Sequence, residues 1–305
     1  MARIHSIYRY PIKGLTPEPL ARVALTPGQT VPGDRLYAIE NGPSGFDPAA
    51  PAYLSKTHFL MLMKNERLAA LHTAFDQDSH VLTITSPSPQ WGEGGVRAAD
   101  LSVGTPSPQP SPRRGEGIRM SELVRADLRT KAGRLAIEAF FRRFMPKELR
   151  GPPKVLHAEG HSFSDVARKV VSIINLASVA AIADMVGAPV NPLRFRGNVY
   201  VEGWPAWSEL DLVGKELIVG AREERDRASP LPLAGEGWEG GAPVRLRVVK
   251  RIVRCAATNV DPDTGLRDLE VPQALMQNLQ HADCGIYAEV VEGGEIAEGD
   301  EIEIL

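Results

Sequence analysis

The chain of 305 residues holds only two cysteines, Cys255 and Cys284. That number excludes a disulfide framework of the kind that staples small secreted domains and fits a reducing compartment. Aromatics are scarce at 6%, and acidic and basic residues nearly balance to a net charge of -3. No global basic field is present to draw the chain to nucleic acid or to an anionic membrane, so neither is expected as a partner. Long apolar runs are missing too. The longest, near Ile173 to Val186, is interrupted by Asn175, Ser178 and Asp184 and cannot form a spanning helix. The N-terminus shows no apolar signal core, and a cytoplasmic protein is the expectation. No GxxxxGK[ST] loop occurs, and no GxGxxG follows a strand pattern, which removes the main support for a Rossmann or P-loop nucleotide site.

What the sequence does hold in quantity is glycine and proline, 28 and 25 residues, unevenly spread. Two stretches, 86–118 and 229–243, repeat a Pro-Ser-Pro…Gly-Glu-Gly theme. Proline fixes φ and removes donors while glycine adds backbone entropy, so such runs rarely build ladders or helices. Their spacing is irregular, which excludes a solenoid. They resemble translated copies of short bacterial palindromic repeats and read as loop insertions into an older scaffold. The expected organisation is an N-terminal domain over 1–85, the insertion at 86–118, and a second domain over 119–305 that carries the insertion at 229–243.

Outside these stretches, short alternating segments dominate. Arg3 to Tyr10, Val23 to Leu25, Leu36 to Ile39, Val81 to Ile84, Asn198 to Glu202, Glu216 to Gly220, Val244 to Ile252, Ile286 to Val291 and Glu301 to Leu305 read as strands. Arg134 to Phe144, with Leu135, Ile137, Phe140, Phe141 and Phe144 at helical spacing, and Asn175 to Val186, closed by Gly187, read as helices. Many short strands with few helices predict a mainly β protein with peripheral helices (α+β), built as a barrel.

One lone cysteine stands out. Arg254-Cys255-Ala-Ala-Thr258-Asn-Val-Asp261-Pro-Asp-Thr-Gly265 places a thiol at the end of an apolar, arginine-rich strand, followed by a turn. A thiolate there can ligate a soft transition metal, carry a persulfide or attack an electrophile. Arg251 and Arg254 are candidate stabilisers of that thiolate, although strict alternation points Arg254 to the opposite face. Arg194 and Arg196, two apart, share a face if the segment is extended and then converge on one anion.

The Arg-Cys-x-x-Thr-x-Val-Asp-Pro-x-Thr-Gly stretch resembles the signature of MOSC domains. Tyr10-Pro-Ile-Lys13-Gly14 and Gly33-Asp34-Arg35 resemble elements of the MOSC N-terminal β-barrel domain. Val171 to Ser178, Arg194 to Asn198 and Gly285 to Asp300 fit in the same order. The resemblance implies an N-terminal β-barrel domain packed on a MOSC β-barrel, with the molybdenum cofactor, a Mo-pyranopterin, between them. It implies Cys255 as metal ligand and catalytic residue. It implies Lys13, Arg35, Asn175, Arg194, Arg196, Asn198, Thr258 and Asp261 around the cofactor. Relatives of this kind reduce N-hydroxylated compounds such as hydroxylamines and amidoximes with electrons from an external reductase, and that activity, a small N-hydroxylated substrate and such a partner are expected here. The alternative is a sulfur or cofactor carrier in which Cys255 holds a persulfide without redox turnover. No aminotransferase-like domain precedes the barrel, so pyridoxal-phosphate chemistry is not expected in this chain. Two departures stand out: Gly14 replaces a small hydroxyl residue, and Gly197 stands where relatives often have proline, read as loop variation.

Weaker clusters carry structural expectations. In His157-Ala-Glu-Gly160-His161 the glycine breaks helical metal-ligand spacing, leaving a polar loop in which Asp165 orients a neighbour. Cys284 is expected to be packed, and Trp204 and Trp207 to fill core or rim.

Overall fold

Apolar residues at positions 2, 4 and 7 shape the first strand, β1 (Ala2–Arg9), whose register slips between Ile4 and Ser6 where it pairs with a later strand. The computed structural model describes residues 1–87, 120–220 and 243–305. The proposed insertions at 86–118 and 229–243 therefore lie outside the described residues, apart from Ser86, Pro87 and Pro243.

After β1 come β2 (Glu18–Leu20), β3 (Arg22–Leu25), β4 (Ala38–Asn41), β5 (His72–Asp76), β6 (Val81–Pro87) and β7 (Met120–Asp127). Helix α1 (Lys131–Phe144), β8 (Pro153–Leu156), β9 (Val171–Asn175), α2 (Leu176–Val186), β10 (Val199–Glu202) and β11 (Glu216–Val219) follow. The chain ends with β12 (Val244–Val253), α3 (Val271–Leu279), β13 (Asp283–Glu292), β14 (Gly294–Ala297) and β15 (Glu301–Ile304). The architecture is mainly β with three helices among the described residues, as the sequence implied.

Seven strands close a barrel in the order β1, β10, β9, β13, β12, β11, β15 and back to β1, with β2 appended to β1. Only β9 and β10 run parallel within it. Closure removes the exposed sheet edge that an open sheet would present. The interior is filled by aliphatic side chains, among them Ile7, Val171, Val201, Leu217, Val244, Val248 and Ile286. Each such burial is worth about 1.5–3 kcal/mol relative to exposure, so the scaffold rests on this core and not on the charges of the site described below. The N-terminal strand thus belongs to the same barrel as the C-terminal strands.

A second core is built by the β5–β6–β7 sheet, the β4–β8 pair and α1. The expected boundary at residue 118 falls between β6 and β7, which pair with each other, so this core draws residues from both sides of it. Thr130 caps α1 by accepting from the Gly133 amide at 2.9 Å. Ile137, Phe140 and Phe141 point into the core while Leu135, at the same apolar spacing in the sequence, is exposed. Helices α2 and α3 lie together outside the barrel over Ile174, Phe195 and Cys284. The helix α3 carries no periodic signal strong enough to be read from its nine residues, and Pro272 sits in its first turn.

Candidate functional site

Strand β12 runs out at Val253, and Cys255 opens a single 3-10 turn over Ala256–Asn259. Both the Thr258 amide and its hydroxyl donate to the Cys255 carbonyl, each at 3.0 Å. The turn that follows is tied by Asp261, whose carboxylate accepts from the Thr264 amide at 2.8 Å and the Asp263 amide at 3.1 Å. The backbone of Cys255 is thereby fixed from its C-terminal side, and its half-buried side chain faces a cavity of about 210 Å³. Lys56 reaches in from a short turn capped by Ser55 and sets its Nζ 3.4 Å from the sulfur. Burial works against the Lys56 charge, but Cys255 and then Asp165 outweigh it and raise the pKa of the ammonium.

The far wall of the same cavity is cationic. The Lys13 Nζ donates to the Phe163 carbonyl at 2.8 Å and forms an ion pair with Asp165. Arg35 pairs with Asp34 and donates to the Arg196 carbonyl at 3.2 Å. Tyr10 lies between two guanidinium groups, with Arg35 5.0 Å and Arg196 4.2 Å from its ring centroid. The Arg196 guanidinium donates to no protein acceptor among the described residues; it is held by the ring face alone. Burial, reinforced by Arg35, lowers the Arg196 pKa although Tyr10 opposes it. Burial also lowers the Lys13 pKa against the pull of Asp165. For Asp165, burial pushes upward, yet Lys13, Arg35 and Lys56 together hold its pKa below the usual carboxylate range.

A pH effect follows from that last shift. The folded chain keeps Asp165 ionised at a pH where the unfolded chain takes up its proton, near 4. The stability that Asp165 contributes is present above that value and is lost progressively as the pH falls below it toward the lower pKa of the folded state. Denaturant titrations between pH 6 and pH 3 are expected to show a shallower acid loss for Asp165→Asn than for the natural chain. Parallel acid limbs in the two proteins would refute the assignment.

Of the residues expected at the site, the structure brings Lys13, Arg35, Arg196, Thr258 and Cys255 onto one cavity. Arg194 also lines it but is engaged elsewhere. Its guanidinium meets Asp268 twice at 2.8 Å, Asp261 at 3.0 Å and the Asn259 carbonyl at 3.2 Å. The expected convergence of Arg194 and Arg196 on one anion is corrected here. The segment is a 3-10 turn over Pro192–Phe195, and Arg196 leaves it with φ 51°, so the two side chains diverge. Asp261 is correspondingly a turn and ion-pair residue. Asn175 caps α2 and bonds the buried Glu209 at 2.9 Å, and Asn198 bonds Ser172 and the Tyr8 carbonyl. Neither asparagine lines the cavity, because both amides are consumed in joining barrel strands to their flanking loops. Arg251 and Arg254, the expected thiolate partners, turn to carbonyls instead: Arg251 to Leu210 at 2.8 Å and Arg254 to Phe195 at 2.9 Å.

Sequence reasoning passed over Lys56. Its turn lies 199 positions from Cys255, and a single lysine beside Ser55 and Thr57 gives no periodic or motif signal. The two unusual glycines have physical reasons. Gly14 has φ +85° and would set a Cβ 3.1 Å from the Leu60 carbonyl oxygen. Gly197 is more than loop variation: a Cβ would stand 2.3 Å from the Ile174 Cγ1, and its amide donates to the Tyr200 hydroxyl at 3.1 Å, a bond that proline could not make.

The remaining clusters are structural. His157 stacks on Tyr37 and His161 packs on Phe163, Trp204 lies in the barrel core, and Trp207 packs beneath the outer helices. Cys284 is fully buried, and burial pushes its thiol up to about 12; both cysteines are free. No trio of His, Cys, Asp or Glu among the described residues is arranged to hold a metal ion. Nor is any described helix long and apolar enough to cross a membrane.

A search of curated proteins finds no match. Among solved structures, the YuaD protein from Bacillus subtilis is 14% identical, with 99% of this chain and 94% of that one covered at a TM-score of 0.39. YiiM from Geobacillus stearothermophilus is 16% identical over 44% of this chain and 53% of its own, at a TM-score of 0.30. Family models are decisive: the MOSC N-terminal beta barrel domain matches residues 1–145 and the MOSC domain matches residues 158–303. Between them these two matches span nearly the whole chain, which belongs to the MOSC domain family, a family associated with molybdenum-cofactor binding.

Proposed function

We propose that the chain holds the molybdenum cofactor in the cavity between Cys255 and the Lys13, Arg35 and Arg196 cluster, and works as an oxidoreductase on small N-hydroxylated compounds. The observation that carries this reading is the pairing, across one cavity, of a half-buried sulfur with a guanidinium that stacks on Tyr10 and donates to no protein acceptor among the described residues. The donor chemistry fits the group. A thiolate is a soft ligand suited to a heavy transition metal. Arginine forks and a lysine point charge suit the oxygens of a phosphate.

When bound, the cofactor supplies two-electron removal of oxygen from the substrate. The residues of the chain bind and orient. Cys255 presents its sulfur from a backbone that Thr258 and Asp261 fix. Arg196 and Arg35 bind the phosphate, and Lys13 with Asp165 pins the loop around Phe163 to the N-terminal segment. Two cysteines cannot build a ferredoxin-type cluster, so the proposal assigns the electrons to an external reductase.

Elemental analysis of the chain made in a host that synthesises the cofactor is the direct test. About one molybdenum per chain is the expected result, and metal-free protein from such a host overturns the reading. The sulfur-carrier alternative draws on the Lys56 contact, since an ammonium at 3.4 Å also suits a persulfide anion. Intact-mass measurement separates the two, because a persulfide adds about one sulfur mass that a thiol reductant removes.

A further inference from the structure

We infer that the sulfur end of the cavity selects anions, with Lys56 as the specificity-determining residue, so that the favoured substrate carries a carboxylate or comparable oxyanion beside its reducible group. Use of this cavity as a substrate site rests on the cofactor reading above; the charge selection itself does not.

Several of the charges on the cavity wall are already matched by partners within the protein. Among the described residues, Asp165 is the one acidic residue lining the cavity, and it is paired with Lys13. Every other charged side chain on the wall is basic. Arg35 is matched by Asp34, and Arg194 by Asp261 and Asp268. Arg251 is matched by Asp211 and Asp283, and Arg254 is held in place by backbone carbonyls. Four cations on the wall form no ion pair with a carboxylate among the described residues: Arg254, Lys250, Arg196 and Lys56, of which Lys56 alone contacts the Cys255 sulfur. Arg196 faces the place given to the cofactor phosphate. Lys56 makes its one hydrogen bond to the Cys255 sulfur, where the chemistry is expected, and the carboxylate that acts on it through space, Asp165, is already bonded to Lys13. A cationic substrate is repelled at this end, and an anionic one is drawn in by a field that low-dielectric walls focus. Met61, Leu62 and Met63 supply an apolar side to the same space, which suits an aryl or alkyl carboxylate better than a bare inorganic ion.

Cysteine alkylation reads the local potential without any cofactor. The full chain is prepared from a host that cannot make the cofactor and treated with iodoacetate, an anion, and with iodoacetamide, its neutral counterpart, under intact-mass detection. Both reagents attack the same thiolate, so the ratio of their rates cancels the thiolate population and leaves the electrostatics. Cys284 is fully buried, and Cys255→Ser identifies the labelled site. The iodoacetate-to-iodoacetamide ratio is expected to exceed that of free cysteine by about tenfold at low salt and to shrink as salt is added. Lys56→Gln should lower the ratio toward the free-thiol value, while Lys56→Arg, which keeps the charge, should retain the preference. A natural-chain ratio equal to that of free cysteine, or one that Lys56→Gln leaves unmoved, overturns the inference. In cofactor-loaded protein, the KM of benzamidoxime relative to its carboxylate-bearing analogue should fall by about tenfold in Lys56→Gln. An alkylation preference in a protein that takes up no molybdenum would sink the cofactor reading and leave anion selection standing. Molybdenum-loaded protein whose alkylation and KM ratios both ignore Lys56 would do the reverse.

Discussion

Cys255→Ser protein is expected to fold normally and to retain less than about a tenth of the molybdenum held by the natural chain, with oxygen-removal activity lost in proportion. A serine hydroxyl is a hard, weakly acidic ligand, and exchanging a soft sulfur for it removes the bond and not merely its geometry. The fold is indifferent to the change for reasons visible around the residue. Cys255 is half-buried at the end of a strand, and its structural duty is carried by its backbone carbonyl, which accepts from Thr258 in either variant. The barrel core does not include it. A surface-like exchange of this kind moves stability by about 0.5 kcal/mol or less. The companion variant Cys284→Ala supplies the contrast, because that thiol is sealed against the outer helices: some stability should be lost and no molybdenum. Molybdenum content by mass spectrometry and denaturant unfolding of both variants check the pair. Full metal retention in Cys255→Ser would remove the central ligand from the proposal.

Cys255 could be found in the sequence because its context is local. A strand pattern ends, a lone thiol follows, and a turn-forming Asp-Pro-Asp-Thr-Gly stretch closes the segment. The barrel was legible on the same terms, since alternation over Arg3 to Tyr10 or Val244 to Ile252 is a property of consecutive residues. What escaped was set by distant contacts. Nothing near Lys56 announces that its ammonium meets a sulfur carried on the far side of the sequence. Local pattern can also mislead by being incomplete. Asn175 and Asn198 have polar side chains beside strands, but their partners, Glu209 and Ser172, make them joints of the scaffold. Leu135 fits the apolar period of α1 and yet faces solvent, because the stripe that packs is narrower than the stripe that repeats. The same incompleteness separates Arg194 from Arg196. A positive φ at an arginine depends on what holds it, here a turn started by Pro192 and the stacked ring of Tyr10, and period-2 reasoning has no access to either.

Those two arginines give the second large effect, and opposite outcomes. Arg194→Met should cost about 3 kcal/mol of stability, near the lower end of the range for breaking a buried ion pair. The natural side chain is only 2% exposed and binds two carboxylates and a carbonyl. Without it the Asn259 carbonyl loses a donor and Asp261 loses its cation, although Asp268, 46% exposed, can recover water. The damage is structural, yet it reaches the site, because Arg194 ties the 192–195 turn to the loop that follows Cys255. Arg196→Met breaks no hydrogen bond to protein and removes a charge that Arg35 repels, so stability should change by less than about 1 kcal/mol or rise slightly. Its cofactor content should nevertheless fall by about tenfold or more, since the lost fork is the one proposed to bind the phosphate. Unfolding midpoints and molybdenum content, measured side by side, therefore place the two variants in different corners: unstable through a lost brace, or stable and unable to hold the cofactor. Equal destabilisation by both, or undiminished molybdenum in Arg196→Met, would mean that the free guanidinium serves the scaffold and that the phosphate is held elsewhere.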